Sequence, residues 1–289
     1  MTHDEILKII NSRSSLPANM AVRKHIERGK SILITGGIGD FIAIEPFILS
    51  NKPGISQIYL ATRGWLEIAE LIRKAYPSIA VKNIIQNFPR NKYCFLSYKD
   101  CFSYMREKNI KIPSDLTQCQ DCSIIEIFPQ IEKNHLEFAK SKFIENTFQD
   151  IKSLNLPKKY ISLVSASSRD ASHASRGRNL MDHEILNIKS KVNLPLVCVY
   201  CECINPDPDI IHMRKTNIFE SIEIVKNSVG YIGIDSWLSV VAGWIFKETN
   251  MVVKCINDHG IRNRNSYWPI LKDPSFLYRD LGENFIFQT

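Results

Sequence analysis

Three stretches of the 289-residue chain combine residue types and spacings that could carry chemistry. The first is Gly36-Gly37-Ile38-Gly39-Asp40, directly after the apolar run Ser31-Ile32-Leu33-Ile34-Thr35. Glycines after a buried strand permit a tight turn and close approach of backbone to ligand, and a helix start beyond them offers free N–H groups to an anion. Asp40 reads in two compatible ways. It could cap the following helix, or it could be a carboxylate at a cleft mouth, placed to take a proton from an acceptor hydroxyl. The turn lacks the last glycine of the dinucleotide-binding pattern and the Gly-Lys-Ser/Thr of a P-loop, so a dinucleotide oxidoreductase is the weaker reading.

The second stretch is Ser165-Ala166-Ser167-Ser168-Arg169, continuing to Arg176-Gly177-Arg178, after the run Tyr160–Val164. Small hydroxyls, backbone amides and arginines suit a diphosphate, although a solvated basic loop has the same composition. The third is Asp235-Ser236, which follows the run Val229–Ile234 and opens an apolar helix expected from Trp237 to Phe246. Its N-terminus could face phosphate; equally, Asp235 or Ser236 could be a plain helix cap. Trp237 reads first as a core residue and second as a platform for a base or sugar.

Cysteines make one further constellation. Cys119 and Cys122 form a CxxC with Cys94 and Cys101 upstream, a set that could hold a structural zinc. The irregular spacing of Cys94 and Cys101 favours ordinary reduced thiols instead. Cys198, Cys201 and Cys203 surround an expected strand end and read as packing residues. Asp207 and Asp209 flank Pro208 and read as structural, so no acidic pair for a metal stands after a strand.

The elements that must position these loops alternate along the chain. A short amphipathic helix is expected at residues 3–12, and a basic stretch with Arg23, Lys24, Arg28 and Lys30 precedes the first strand. After the glycine turn come a helix over Phe41–Leu49, a strand over Gln57–Thr62, a helix over Trp65–Ala75 and a strand over Ile79–Ile84. Residues 88–150 are harder to read: they include Asn91–Tyr98, where Cys94 sits in an apolar, strand-like run, a cysteine-bearing segment, and a helical pattern at Leu136–Phe148. The alternation resumes with strands at Tyr160–Val164, Pro195–Tyr200, Val229–Ile234 and Met251–Ile256, and helices at Asp182–Lys191, Phe219–Asn227 and Trp237–Phe246. The expected class is therefore α/β, with two Rossmann-like domains facing a cleft: residues 1–154 and residues 155–289, whose last residues could pack back on the first domain.

Composition bounds what such a molecule does. Hydrophobic residues are 44% and charged residues 23%, so long disorder is not expected. The net charge is +7, from 37 basic and 30 acidic residues, which suits anionic or phosphorylated substrates. It is spread along the chain and forms no basic stripe, so it does not argue for DNA. No run of about 18 apolar residues occurs, so no membrane-spanning helix is expected. The polar start, Met1–Lys8, gives no secretory signal, and 8 cysteines would then stay reduced in a cytoplasmic protein, with contact to the inner membrane face left open.

The quoted segments also carry a resemblance. ILITGGIGDFIAIEP, residues 32–46, resembles the opening of the heptosyltransferase-type glycosyltransferases, glycosyltransferase family 9. YIGIDSWLSVVA, residues 231–242, is similar to that family's Asp-Ser/Thr-Gly-x-x-His-x-Ala segment. SLVSASS, at 162–168, and ESIEIVKNS, at 220–228, fall where the family has the first donor-domain strand and the helix before the Asp-Ser turn. The resemblance implies a GT-B architecture, with the acceptor on the first domain and a nucleotide-sugar on the second. It implies inverting, metal-independent transfer of a sugar to a hydroxyl acceptor, on a surface glycan or lipid-linked glycan, with no resident cofactor. By the same resemblance Asp40 is the general base and the Gly36, Gly37 and Gly39 turn lines the substrate. Asp235 and Ser236 hold the donor diphosphate, and Arg169 or Arg178 neutralises the leaving group; Ser167 and Trp237 join them as substrate-binding candidates from the reading of the loops themselves. Trp237 stands where the family usually has glycine, and Val240 where it has histidine. These departures keep open a catalytically inactive nucleotide-sugar-binding protein of the same fold. Transfer to modified DNA bases is the other alternative.

Overall fold

Short apolar runs become parallel strands in the computed structural model. It describes residues 31–39, 41–42, 45, 55–89, 95, 98–116, 142–146, 148–166, 179–199, 208–213, 216–234, 236–246 and 250–254. The chain divides into two compact units, Met1–Asn146 and Thr147–Thr289. Each is built on its own parallel sheet, so the class is α/β with two sheets.

In the first unit, strands β1 (Ser31–Ile34), β2 (Gln57–Leu60) and β3 (Ala80–Asn83) lie in the order β1-β2-β3, all parallel. Parallel neighbours need a crossover, and helix α1 (Trp65–Ala75) supplies the one between β2 and β3. Its buried face is Ile68, Ala69, Leu71 and Ile72, and it packs on β3 and on the short helix α3 (Lys142–Asn146). Between them in sequence, helix α2 (Tyr98–Glu107) buries Tyr98, Cys101, Phe102 and Met105, an i, i+3, i+4, i+7 stripe. The Tyr98 hydroxyl donates to the Leu33 carbonyl and the Phe95 N–H to the Thr35 carbonyl, so this segment flanks β1. Phe143 of α3 packs between Phe41, at 5.0 Å between ring centroids, and Tyr76, edge-on at 5.9 Å. Glu45 is fully buried beside them; it accepts from the Tyr76 hydroxyl and, at 3.3 Å, from the Lys142 N–H. Such bonds are what make a buried carboxylate tolerable.

The second unit holds strands β4 (Ile161–Val164), β5 (Leu196–Val199), β6 (Ile210–Met213), β7 (Gly230–Ile234) and β8 (Met251–Lys254). Their order is β6-β5-β4-β7-β8, again all parallel. The strands β4, β5 and β7 are buried at every position, as expected of strands covered on both faces. Helices α4 (Asp182–Lys191), α5 (Ile218–Asn227) and α6 (Trp237–Ile245) connect them. Asn217 starts α5 by accepting from the Glu220 N–H at 2.9 Å, while Glu220 reaches back to the Asn217 N–H at 2.8 Å. α6 packs on α5, β7 and β8.

Several expectations need correction. The helix after β1 begins at Ile38, not Phe41, because the Phe41 N–H already donates to the Gly37 carbonyl at 3.1 Å; Gly39 therefore lies in the first helical turn. Strand β6 and helix α2 were not anticipated. The helix expected over Leu136–Phe148 is described only as Lys142–Asn146, and Phe148 lies outside it and 75% exposed. The helix expected at residues 3–12 lies outside the described residues, as does most of Phe41–Leu49.

Candidate functional site

The second sheet reverses direction at one place. From β4 the chain steps outward to β5 and β6, then crosses to the other side of β4 for β7 and on to β8. The reversal lies between β4 and β7, which pair with Ile161 opposite Gly230 and Val164 opposite Gly233. In open parallel sheets, ligands bind beyond the carboxyl ends of the strands at such a switch point. Here the segments leaving those ends are Ser165-Ala166 and the turn to Ser236, so two of the three loops singled out in the sequence emerge side by side.

The chain leaving β4 is fastened on both sides of its loop. Ser165 is buried, its Oγ 3.7 Å from Cys198 Sγ on β5, and its carbonyl accepts from the Leu180 N–H at 2.9 Å. Exit and return thus meet at the end of β4. Lys254, the last residue of β8, adds a second fastening. Its Nζ donates to the Asn179 carbonyl at 3.1 Å and to Glu184 Oε2 at 2.6 Å. The same Glu184 oxygen accepts from the Met181 N–H at 2.7 Å, which starts α4. One basic side chain therefore joins β8, the loop return and the head of α4. The side-chain oxygen of Asn179 is buried with no hydrogen-bond partner among the described residues.

The chain leaving β7 enters α6 through Ser236, extended at φ −148° and ψ 177°. Ser236 occupies the cap position, yet its hydroxyl does not cap. The Ser239 hydroxyl bridges the Ser236 N–H, at 3.0 Å, and the Ser236 carbonyl, at 2.6 Å. Ser236 Oγ itself is buried without a partner among the described residues. Among the described residues, the carboxyl end of this sheet therefore offers the N-terminus of α6, the Ser236 hydroxyl and, on the segment returning to α4, the Asn179 amide oxygen. The first two favour an anion or a hydrogen-bond acceptor. Trp237, the first residue of α6, is half-buried, and so is Val240 one turn on.

Gly36 and Gly37, in the first unit, are buried beyond the end of β1, and Gly39 is half-buried. Asp40, Ser167, Arg169, Arg178 and Asp235 lie outside the described residues, as do Cys94, Cys119, Cys122, Cys201 and Cys203. Cys101 is fully buried in α2; burial, with a smaller contribution from the Asp100 charge, pushes its thiol up to about 12. Zinc would have to bind it as thiolate. Cys198 is buried on β5. Among the described residues no group of three His, Cys, Asp or Glu could hold a metal, and no helix is long and apolar enough to cross a membrane.

The roles of Asn179 and Lys254 at this end of the sheet were missed in the sequence. Each had a signal: Asn179 directly follows the Arg176-Gly177-Arg178 run, and Lys254 is a lone charge closing the apolar run Met251-Val252-Val253.

No family model matches the chain, and no curated protein matches it. Among solved structures, the chain is similar to E. coli heptosyltransferase WaaC with ADP, at 9% sequence identity and a TM-score of 0.40. That similarity covers 84% of this chain and 99% of the other.

Proposed function

We propose that this protein is a glycosyltransferase of GT-B architecture that moves a sugar from a nucleotide-sugar to a hydroxyl acceptor, with inversion and without a metal. The observation that carries the reading is the switch point of the second sheet. There the Ser236 hydroxyl, without a partner among the described residues, and the head of α6 follow the strand that pairs with β4, and β4 leads through Ser165-Ala166 into a stretch that the sequence furnishes with serines and arginines. A diphosphate leaving group needs such a set: helix N–H groups, a hydroxyl and a guanidinium, all fixed before charge develops. In this reading Ser236 and Asp235 hold the donor diphosphate, Ser167 adds a hydroxyl, and Arg169 or Arg178 neutralises the leaving charge. Trp237 borders the donor. Gly36, Gly37 and Gly39 line the acceptor side, and Asp40 takes the proton of the attacking hydroxyl. One carboxylate and one cationic cradle suffice for displacement at an anomeric carbon, so no resident cofactor is invoked. The acceptor is a surface or lipid-linked glycan, and the reaction is cytoplasmic.

The test is a titration with ADP-, UDP-, GDP- and CMP-sugars, followed by assay of nucleotide release with and without glycan acceptors. Tight binding of one donor with turnover that disappears in Asp40→Ala supports the proposal. Binding without turnover under all conditions replaces it with a nucleotide-sugar-binding role, which the residues Trp237 and Val240 favour. Absence of any nucleotide-sugar binding overturns both.

A further inference from the structure

The strand that leads to Ser236 contains a device that the resemblance does not explain. In Gly230-Tyr231-Ile232-Gly233-Ile234, alternation puts Tyr231 and Gly233 on one face. Tyr231 is wholly buried, and its hydroxyl donates to the Ile234 carbonyl at 3.1 Å. The phenol therefore lies along its own strand, past Gly233, toward the carboxyl end. It can do so because residue 233 has no side chain. A Cβ there would stand 3.0 Å from the Tyr231 Oη, and only 2.7 Å from the Val164 carbonyl oxygen of β4. Glycine at 233 thus serves two close approaches, one to the neighbouring strand and one to the tyrosine hydroxyl.

The Ile234 carbonyl is the last of β7, and Ser236 follows within two residues. Peptide groups are planar, so fixing a carbonyl fixes the plane from which the chain leaves the sheet. We infer that Tyr231 is a positioning residue: by holding the Ile234 carbonyl it sets the placement of Ser236 and the N-terminus of α6, and so the affinity of this end of the sheet for a phosphate-bearing ligand. The ligand class rests on the function proposed above; the positioning role does not. Tyr160 supplies the internal control. It too is a buried tyrosine donating to a backbone carbonyl, that of Ile224 at 2.7 Å, but it stands directly before β4, at the amino end of the sheet.

The experiment compares Tyr231→Phe with Tyr160→Phe in the full chain, with two readouts. Without ligand, hydrogen exchange follows the Ser239 and Val240 amides, which donate to the Ser236 carbonyl at 3.1 and 3.4 Å. With ligand, calorimetry compares ADP, UDP and GDP with their nucleosides. Exchange at the head of α6 is expected to accelerate about tenfold in Tyr231→Phe and not in Tyr160→Phe, the equivalent of one lost hydrogen bond. Affinity for the preferred nucleoside diphosphate is expected to fall about fivefold to tenfold, with the nucleoside unaffected. Unchanged exchange overturns the inference. So does equal loss for diphosphate and nucleoside, or failure of Tyr231→Phe to fold, each of which makes the hydroxyl a general structural contact. If wild type binds no nucleoside diphosphate, the proposed function fails while the exchange comparison still decides the role of Tyr231.

Discussion

The two ends of the second sheet are both polar, but their polar groups are used differently. At the amino end the hydroxyls are spent on the fold. Ser162 donates to the Gly230 carbonyl at 3.0 Å, and Ser228 lies 2.8 to 3.1 Å from the Val225 carbonyl, the Gly230 carbonyl and Ser162 Oγ. Tyr160 holds the last turn of α5, and Asn250 donates to the Val229 carbonyl at 3.2 Å. Glu223, nearly buried, is paired with Lys226 at 2.6 Å. At the carboxyl end Ser236 Oγ and Asn179 Oδ1 are buried without partners among the described residues. A buried unpaired polar group costs about 1–3 kcal/mol, so a partner bound at either of these two atoms would offset that cost. Among the described residues, then, the amino end engages its hydroxyls in the fold, while the carboxyl end holds the two atoms that the proposed function assigns to a ligand. Trp244 Nε1, on α6, is also without a partner among the described residues and fits neither pattern.

The largest expected effect extends this contrast to the other sheet. If carboxyl ends carry function in both units, Asp40→Asn, just beyond β1, should lower turnover by about 10²–10⁴-fold. Donor affinity should stay within about twofold, since the base acts on the acceptor. Nucleotide release under saturating donor measures the first, and calorimetry the second. A loss confined to donor affinity would break the contrast between an acceptor side and a donor side.

Next in size is the strand that separates the two ends. Gly233→Ala should cost about 1–3 kcal/mol of unfolding free energy, because the added methyl meets backbone that cannot move aside. Urea denaturation measures it. A cost under about 0.5 kcal/mol would mean that β4 and β7 can separate freely, and the close seam beneath the site would lose its meaning.

Much of this framework is legible in the sequence. Runs such as Ile32–Ile34, Ile161–Val164 and Met251–Val253 are buried on both faces, so their apolar character is nearly unbroken and the strand reading is secure. Strand β6 was illegible for the opposite reason: it is an edge strand with only Ile210 buried, and it follows Pro208-Asp209, which reads as loop. α2 hid its stripe in Tyr98, Cys101, Phe102 and Met105, without the Leu and Ile that announce a helix face. The Ser165 and Ser236 loops could be singled out in the sequence as candidates for phosphate binding, but not as neighbours. Their adjacency comes from strand order, which local pattern does not encode. The fastening by Lys254 and the service of Tyr231 to the Ile234 carbonyl were illegible too, since both depend on where side chains reach.

The smallest effects decide most about the comparison, because they should run in opposite directions. Ser228→Ala, at the amino end, removes a hydroxyl engaged with its neighbours, and stability should fall by about 0.5–1.5 kcal/mol with nucleotide affinity unchanged. Ser236→Ala removes a hydroxyl that bonds nothing in the described structure. An ordinary serine cap lost to alanine costs about 0.5–2 kcal/mol of stability. Ser236 should cost less than that range, because the Ser239 hydroxyl already bridges the Ser236 N–H and carbonyl. Its loss should appear instead in binding, as a twofold to tenfold weakening of the nucleoside diphosphate, about the worth of one hydrogen bond. Thermal unfolding and calorimetry on the two variants separate the quantities. If Ser236→Ala destabilises as a cap would while binding holds, the hydroxyl belongs to the fold. The carboxyl end would then serve the fold as the amino end does.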